Sequence, residues 1–205
     1  MSEIFQRLTN YLFYFTHQLF SKGGNQTIKV LYPCRDPFTE IIDNIYIGDY
    51  RIASNLEELN KNDFKHILNC TYELPNEYPG KFDYLNINLK DEEDQDLKEA
   101  FIESYDFLKK NKGEKTLVHC IGGFSRSVAL VVYYLMKEYG YTYHYALNFI
   151  AAKRKEINPN PGFRKQLVQA ERDLLGDKAQ GENPFGKRNL ENNPLIDESE
   201  NKIES

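Results

Sequence analysis

The sequence predicts a single-domain α/β fold in which a central, mostly parallel, twisted sheet of about five strands is flanked by helices. Short segments with apolar residues that predict strands are followed by longer segments whose apolar residues recur at helical spacing. Apolar residues make up 40% of the 205 residues and aromatic residues 14%, which is enough to bury a hydrophobic core. The length suits one domain with terminal extensions.

The N-terminal segment, residues 1–24, is predicted to form an amphipathic helix. Apolar side chains recur at helical spacing from Ile4 to Leu19, and Gly23 and Gly24 then break the pattern. We expect this helix to pack on the main domain; docking on a partner protein or on a lipid surface is the alternative. Its polar face carries few positive charges, which disfavours the lipid surface. A linker over residues 25–38 follows.

The main domain is predicted over residues 39–175. Its strands are short, and segment 94–110 has the apolar spacing of an amphipathic helix. Segment 127–139 is apolar on most sides and predicts a central helix. In chain order, the predicted strands are 41–42, 45–47, 66–69, 84–89 and 115–119, and the predicted helices are 55–60, 94–110, 127–139, 142–155 and 162–175. Residues 176–205 are rich in Asn, Glu, Lys and Ser, and they predict a disordered tail because they offer little apolar surface to bury.

The charge balance and the cysteines limit the classes of function. The sequence has 26 basic and 31 acidic residues, a net charge of −5, which argues against broad binding of nucleic acid or anionic membranes. No apolar run approaches the ~18 residues of a membrane span, so we expect no stable membrane insertion. Three scattered cysteines are too few for a disulfide framework and favour a cytoplasmic, or alternatively nuclear, location.

One segment carries most of the functional information. It connects the predicted strand 115–119 to the helix 127–139, and it contains the adjacent glycines Gly122 and Gly123. A loop that enters a helix N-terminus directs several backbone N–H groups toward one point, beside the positive end of the helix dipole. Glycines let such a loop curl and let its backbone approach a ligand closely. The loop formed by Ile121, Gly122, Gly123, Phe124, Ser125 and Arg126 is therefore predicted to bind a tetrahedral anion such as phosphate.

Three side chains in and beside this loop have the chemistry for phosphate ester cleavage. Cys120 lies at its base, where a helix N-terminus and nearby cations favour the nucleophilic thiolate. Arg126 can bind two phosphate oxygens at once through its planar fork. Ser127 is placed to donate a hydrogen bond to the sulfur when it becomes a leaving group. Each residue alone has a structural explanation, but their joint spacing between a strand and a helix favours the functional one.

The segment HCIGGFSRS matches the His-Cys-x5-Arg-Ser signature and resembles cysteine-dependent protein phosphatases, in detail the small dual-specificity type. The resemblance covers residues 39–175 and implies a protein tyrosine phosphatase-like fold. It also implies hydrolysis of phosphotyrosine and phosphoserine or phosphothreonine esters in phosphoprotein substrates through a cysteinyl phosphate, with no metal or other cofactor. Four further segments carry it: HILNCT (66–71), YLNINLKD (84–91), SRSVALVVYYLM (125–136) and INPNPGFRKQL (157–167).

The reaction also needs an acid that protonates the leaving oxygen. Asp91 directly follows the predicted strand 84–89 and Lys90, where the family places its acid; Glu92 and Asp94 are the alternatives. His119 is expected to orient the loop, and the resemblance implies that Asn160 buttresses it. Cys70 is interpreted as a buried structural cysteine, with a protective disulfide to Cys120 as the alternative.

Several other functions remain open on the sequence alone. Relatives of the family act on phosphoinositides, RNA 5′-phosphates or glucan phosphates, and others bind phosphoproteins as pseudophosphatases or scaffolds. Ile121 and Phe124 stand where lipid-acting relatives carry lysines, which favours a monophosphate ester beside apolar surface. The retained Cys120 and Arg126 disfavour a pseudophosphatase.

Overall fold

Five strands form one sheet in the computed structural model, which describes residues 36–176. The sheet order is β1-β2-β5-β3-β4; β1 and β2 are antiparallel, and the other neighbours are parallel. The predicted five-stranded, mostly parallel sheet is confirmed. The strands are β1 (Phe38–Ile42), β2 (Ile45–Gly48), β3 (His66–Thr71), β4 (Asp83–Leu89) and β5 (Thr116–His119).

Helices cover both faces of the sheet. Helix α4 is central: its first eleven residues are buried, and it packs against α3, α5 and α6. A smaller cluster that includes Ile52, Leu59 and Leu117 buries α1 and α2. The helices are α1 (Tyr50–Ala53), α2 (Leu56–Lys61), α3 (Lys98–Lys110), α4 (Arg126–Tyr139), α5 (Tyr143–Lys153) and α6 (Pro161–Leu175).

The predicted start of a helix at residue 94 is wrong, because α3 begins at Lys98. Residues 91–96 form a loop whose backbone is bound by Gln166 of α6 instead. Gln166 Nε2 donates to the carbonyl oxygen of Gln95 at 2.8 Å, and its Oε1 accepts from the Leu97 N–H at 2.8 Å. We name residues 91–96 the acidic loop.

The parallel topology brings three loops to one edge of the sheet. The carboxyl ends of β3, β4 and β5 meet there, as they do at the binding edge of open α/β sheets. The residues that follow these strands include Glu73, Asp91 and Cys120. Helix α4 begins at the same edge, so its N-terminus faces the loop that leads into it.

Several sequence predictions concern the ends of the chain. The N-terminal helix (1–24), most of the linker (25–38) and all but the first residue of the tail (176–205) lie outside the described residues. Between residues 36 and 176, no helix has the length and apolar character that a membrane crossing requires.

Candidate active site

The loop between β5 and α4, residues 120–125, is shaped by hydrogen bonds to its carbonyl groups. Four of these carbonyls meet a donor from outside the loop. A trans peptide holds its C=O and the following N–H in opposite directions, so the next N–H in each case is directed to the inside of the loop. For Cys120, Ile121, Gly123 and Phe124 in turn, the donors are His119 Nδ1 (3.4 Å), Tyr50 N (3.0 Å), Arg154 Nε (2.9 Å) and Asn158 N (2.7 Å).

The two glycines of the loop have different roles. Gly123 has φ +66°, in the left-handed region, and a Cβ there would lie 2.7 Å from the carbonyl oxygen of Gly48. A Cβ on Gly122 would collide with the ring of Phe124. The left-handed backbone and the close approach of the loop to β2 therefore favour a glycine at position 123.

The sulfur of Cys120 lies at the floor of this loop. The Gly123 N–H donates to Sγ at 3.2 Å, and Ser127 Oγ lies 3.3 Å from Sγ. Cys120 is 2% exposed, and Ser127 in the first turn of α4 is fully buried. Both contacts suit a negatively charged sulfur, which accepts hydrogen bonds from the amide and the hydroxyl.

Arg126, the first residue of α4, places a buried cation beside the loop. Its Nη1 donates to Glu73 Oε2 at 2.6 Å and to the Leu89 carbonyl oxygen at 2.9 Å. Its Nε is buried, has no hydrogen-bond partner among residues 36–176 and lies 3.8 Å from Asp91 Oδ2. One edge of the guanidinium is thus fixed by the protein, while the Nε edge retains an unused donor.

The charge on Arg126 is set by two opposing effects. Burial works against the charged form, but the facing charges of Cys120, Glu73 and Asp91 outweigh it and raise the pKa of the guanidinium. Arg126 therefore stays cationic although it is only 3% exposed.

Glu73 is the residue that the sequence analysis missed. Its side chain is 14% exposed, and it is paired with a guanidinium 53 positions away in the chain. A buried ion pair of this kind holds the guanidinium in one orientation. The signal in the sequence is its position two residues after β3, at the edge where parallel strands end.

Asp91 in the acidic loop lies beside Ser125 and Arg126. Its Oδ1 accepts from Ser125 Oγ at 2.7 Å and from Asn160 Nδ2 at 2.9 Å. Among the described residues, no hydrogen bond or ion pair joins the side chain of Glu92 or of Asp94 to the loop of residues 120–125. The carboxylate that the structure brings to the loop is therefore that of Asp91.

Asn160 connects the acidic loop to the loop of residues 120–125. As the N-cap of α6 it accepts the Phe163 N–H at 2.9 Å through Oδ1, and its own N–H donates to Ser125 Oγ at 3.2 Å. Its side-chain amide also contacts Asp91. The resemblance implied the contact with the loop but not the contact with the acid.

His119 and Cys70 lie beneath the loop. Burial lowers the pKa of His119 to about 4, so the ring is neutral, and its Nδ1 carries the proton because the facing Cys120 carbonyl can only accept. Cys70 is fully buried and is a free thiol. Burial raises the pKa of Cys70, and the nearby charge of Cys120 raises it further. Within residues 36–176, no cluster of three or more His, Cys, Asp or Glu residues could hold a metal ion.

The buried His119 predicts a loss of stability in acid. The unfolded chain takes up a proton on this ring below its ordinary pKa of 6.5, whereas the folded protein does so only below about 4. The free energy of unfolding should therefore fall as the pH drops from 6.5 to 4, by about 3 kcal/mol from this group. Urea unfolding at pH 7 and pH 4 should show a smaller difference for His119→Asn than for the wild type. An equal difference would mean that His119 does not contribute in this way.

Comparisons with known proteins agree with this geometry. The sequence model described as "Dual specificity phosphatase, catalytic domain" matches residues 45–173. Protein phosphatase Slingshot homolog 2 of Homo sapiens is 40% identical over 156 residues, which is 75% of this chain and 11% of the relative. Protein phosphatase Slingshot homolog of Xenopus laevis is 40% identical over 158 residues, 76% of this chain and 23% of the relative. The chain therefore spans less than a quarter of the length of these curated relatives.

Solved structures also resemble the described domain. Human DUSP28 superposes with a TM-score of 0.65 at 25% identity, covering 70% of this chain and 98% of that one. DUSP15 superposes with a TM-score of 0.61 at 29% identity, covering 71% of this chain and 97% of that one. A human tyrosine phosphatase-like serine/threonine/tyrosine-interacting protein superposes with a TM-score of 0.63 at 29% identity, covering 67% of this chain and 97% of that one. With its five-stranded sheet, its Cys120 loop and the match over residues 45–173, this chain belongs to the dual specificity phosphatase catalytic domain family.

Proposed function

We propose that this chain is a dual-specificity protein phosphatase, which hydrolyses phosphotyrosine and phosphoserine or phosphothreonine esters through a cysteinyl phosphate. The observation that carries the proposal is the contact of the Cys120 sulfur with the loop of residues 120–125, whose Gly123 N–H donates to Sγ at 3.2 Å. The unused Nε donor of Arg126 lies beside the same site. The curated relatives carry the name protein phosphatase, which supports protein substrates over lipid, RNA or glucan phosphates.

In the first step, the Cys120 thiolate attacks phosphorus in line with the leaving oxygen. The S–P bond forms as the P–O bond of the ester breaks, and Asp91 gives its proton to the departing alcohol or phenol. Because Asp91 Oδ1 already accepts two hydrogen bonds, we place this proton on Oδ2. The loop N–H groups and Arg126 stabilise the charge on the equatorial oxygens.

In the second step, Asp91 takes a proton from a water molecule that attacks the cysteinyl phosphate. The S–P bond breaks, inorganic phosphate forms and the thiolate returns. Ser127 Oγ, 3.3 Å from the sulfur, donates a hydrogen bond that stabilises the thiolate as it leaves. Glu73 serves as a positioning residue, because it occupies Nη1 of Arg126 and leaves the other edge for phosphate.

A panel of phosphate esters tests the proposal. We expect turnover of p-nitrophenyl phosphate and of peptides that contain phosphotyrosine, phosphoserine or phosphothreonine, inhibition by vanadate, and no effect of EDTA. Binding of phosphopeptides without turnover would indicate a pseudophosphatase, and turnover of a phosphoinositide or an RNA 5′-phosphate alone would contradict protein substrates. Docking through the N-terminal helix and a cytoplasmic location stay predictions.

The acidic loop rests directly on α6, which predicts an effect of Gly162→Ala. A Cβ at Gly162 would collide with the backbone of Glu93, so the loop that carries Asp91 must move away. A displacement of about 1 Å in a catalytic group can cost roughly 10²-fold in rate. We expect kcat/KM for a phosphoserine peptide to fall by about that factor, and much less for p-nitrophenyl phosphate, whose leaving group needs little protonation. An equal loss for both substrates would contradict the effect on the acid.

A further inference from the structure

Arg154 is a buried cation that the proposed mechanism does not use. It follows α5 directly and is 2% exposed. Its Nε donates to the Gly123 carbonyl oxygen at 2.9 Å, and its Nη1 donates to the Asp36 carbonyl oxygen at 3.1 Å and to Thr39 Oγ1 at 2.9 Å. One side chain thus ties the loop around Cys120 to the beginning of β1.

The contact with Gly123 fixes one peptide of the loop. The Gly123 carbonyl and the Phe124 N–H belong to the same planar peptide and point in opposite directions. While Arg154 holds the carbonyl outside, the N–H of Phe124 is directed inward, toward a bound anion. Gly123 has φ +66°, and a glycine rotates its backbone more freely than any other residue.

Rotation of this peptide would reverse its dipole. The carbonyl oxygen would then face the phosphate and repel it, and one N–H donor would be lost. A charged donor bound to the carbonyl opposes that rotation. Because Arg154 is nearly excluded from water, no solvent molecule can readily replace it in this contact.

We propose that Arg154 is a positioning residue of the phosphate-binding loop, which keeps the Gly123–Phe124 peptide oriented for oxyanion binding. This inference rests on the proposed function of the loop. It predicts that loss of Arg154 weakens the binding of oxyanions and of phosphate esters, in addition to any effect on folding.

Lys153 provides a matched control. It precedes Arg154 in the chain, and its Nζ donates to the Ile41 carbonyl oxygen of β1 at 2.7 Å. Like Arg154, it therefore joins the end of α5 to β1. Unlike Arg154, it has no hydrogen bond to the loop of residues 120–125 in the described structure.

The test compares Arg154→Met, Arg154→Gln and Lys153→Met with the wild type. For each, we would measure the inhibition constant of orthovanadate, KM and kcat for p-nitrophenyl phosphate, and the thermal unfolding midpoint. We expect both Arg154 variants to raise the vanadate inhibition constant and KM by at least about tenfold. Lys153→Met should change neither constant by more than about twofold, even where it lowers the midpoint.

Two outcomes would overturn the inference. One is an Arg154 variant that folds and keeps the wild-type inhibition constant and KM; Arg154→Gln retains a polar side chain in case Arg154→Met does not fold. The other is a Lys153→Met variant that weakens vanadate binding as much as the Arg154 variants do, which would reduce both residues to a structural role. A wild-type protein without turnover or vanadate inhibition would instead contradict the proposed function itself.

Discussion

Cys120→Ser should abolish hydrolysis of every phosphate ester, with a loss in kcat of at least about 10⁴-fold. A serine hydroxyl stays protonated at neutral pH, so the in-line attack on phosphorus loses its nucleophile. The loop N–H groups and Arg126 are unchanged, and the variant should still bind phosphopeptide. The measurements are single-turnover kinetics and calorimetric titration with a phosphopeptide.

Cys70→Ala is the matched control for this result. Cys70 is a second buried cysteine, it lies outside the proposed chemistry, and its sulfur has a hydrogen-bond contact with the Leu68 carbonyl oxygen at 3.8 Å. We expect this variant to retain kcat, with some loss of stability from the cavity. Activity in Cys120→Ser above about one hundredth of the wild type would place the nucleophile elsewhere.

Asp91→Asn should reduce activity by an amount that depends on the leaving group. Alkoxides leave poorly unless they are protonated, so kcat for a phosphoserine peptide should fall by about 10²–10⁴-fold. The loss for p-nitrophenyl phosphate should be far smaller. Asparagine keeps an oxygen for Ser125 and Asn160, so the loop should stay in place.

The neighbouring acids serve as controls for Asp91. Glu92→Gln and Asp94→Asn remove exposed carboxylates of the same acidic loop. Neither should change the dependence of the rate on the leaving group. If Glu92→Gln or Asp94→Asn alters the dependence of the rate on the leaving group, or if Asp91→Asn slows all esters equally, the proton comes from a residue other than Asp91.

The loop around Cys120 was predictable because its residues are contiguous. Nine consecutive residues encode the strand end, the two glycines and the helix start, and each of these has a local physical reason. The strands were predictable as well, since short segments with apolar residues between turn signals are local features of the sequence. These parts of the fold and site follow from short-range patterns.

The remaining parts depend on contacts between distant positions. Glu73 meets Arg126 across 53 residues, and Gln166 prevents an early start of α3 from about 70 residues away. Arg154 lies within the predicted helix 142–155, yet its backbone is extended and ends α5. Its side chain donates to the Gly123 carbonyl oxygen of the loop. Such pairings follow from the order of the strands, which no local pattern specifies.

The nucleophilic state of the Cys120 sulfur is tested most directly by alkylation with iodoacetate at neutral pH, followed by mass spectrometry of each cysteine. A thiolate held by the loop predicts that Cys120 is modified much faster than a free cysteine, that phosphate or vanadate protects it, and that buried Cys70 does not react. Modification of Cys120 that is no faster than that of a free cysteine and that phosphate does not slow would contradict the account.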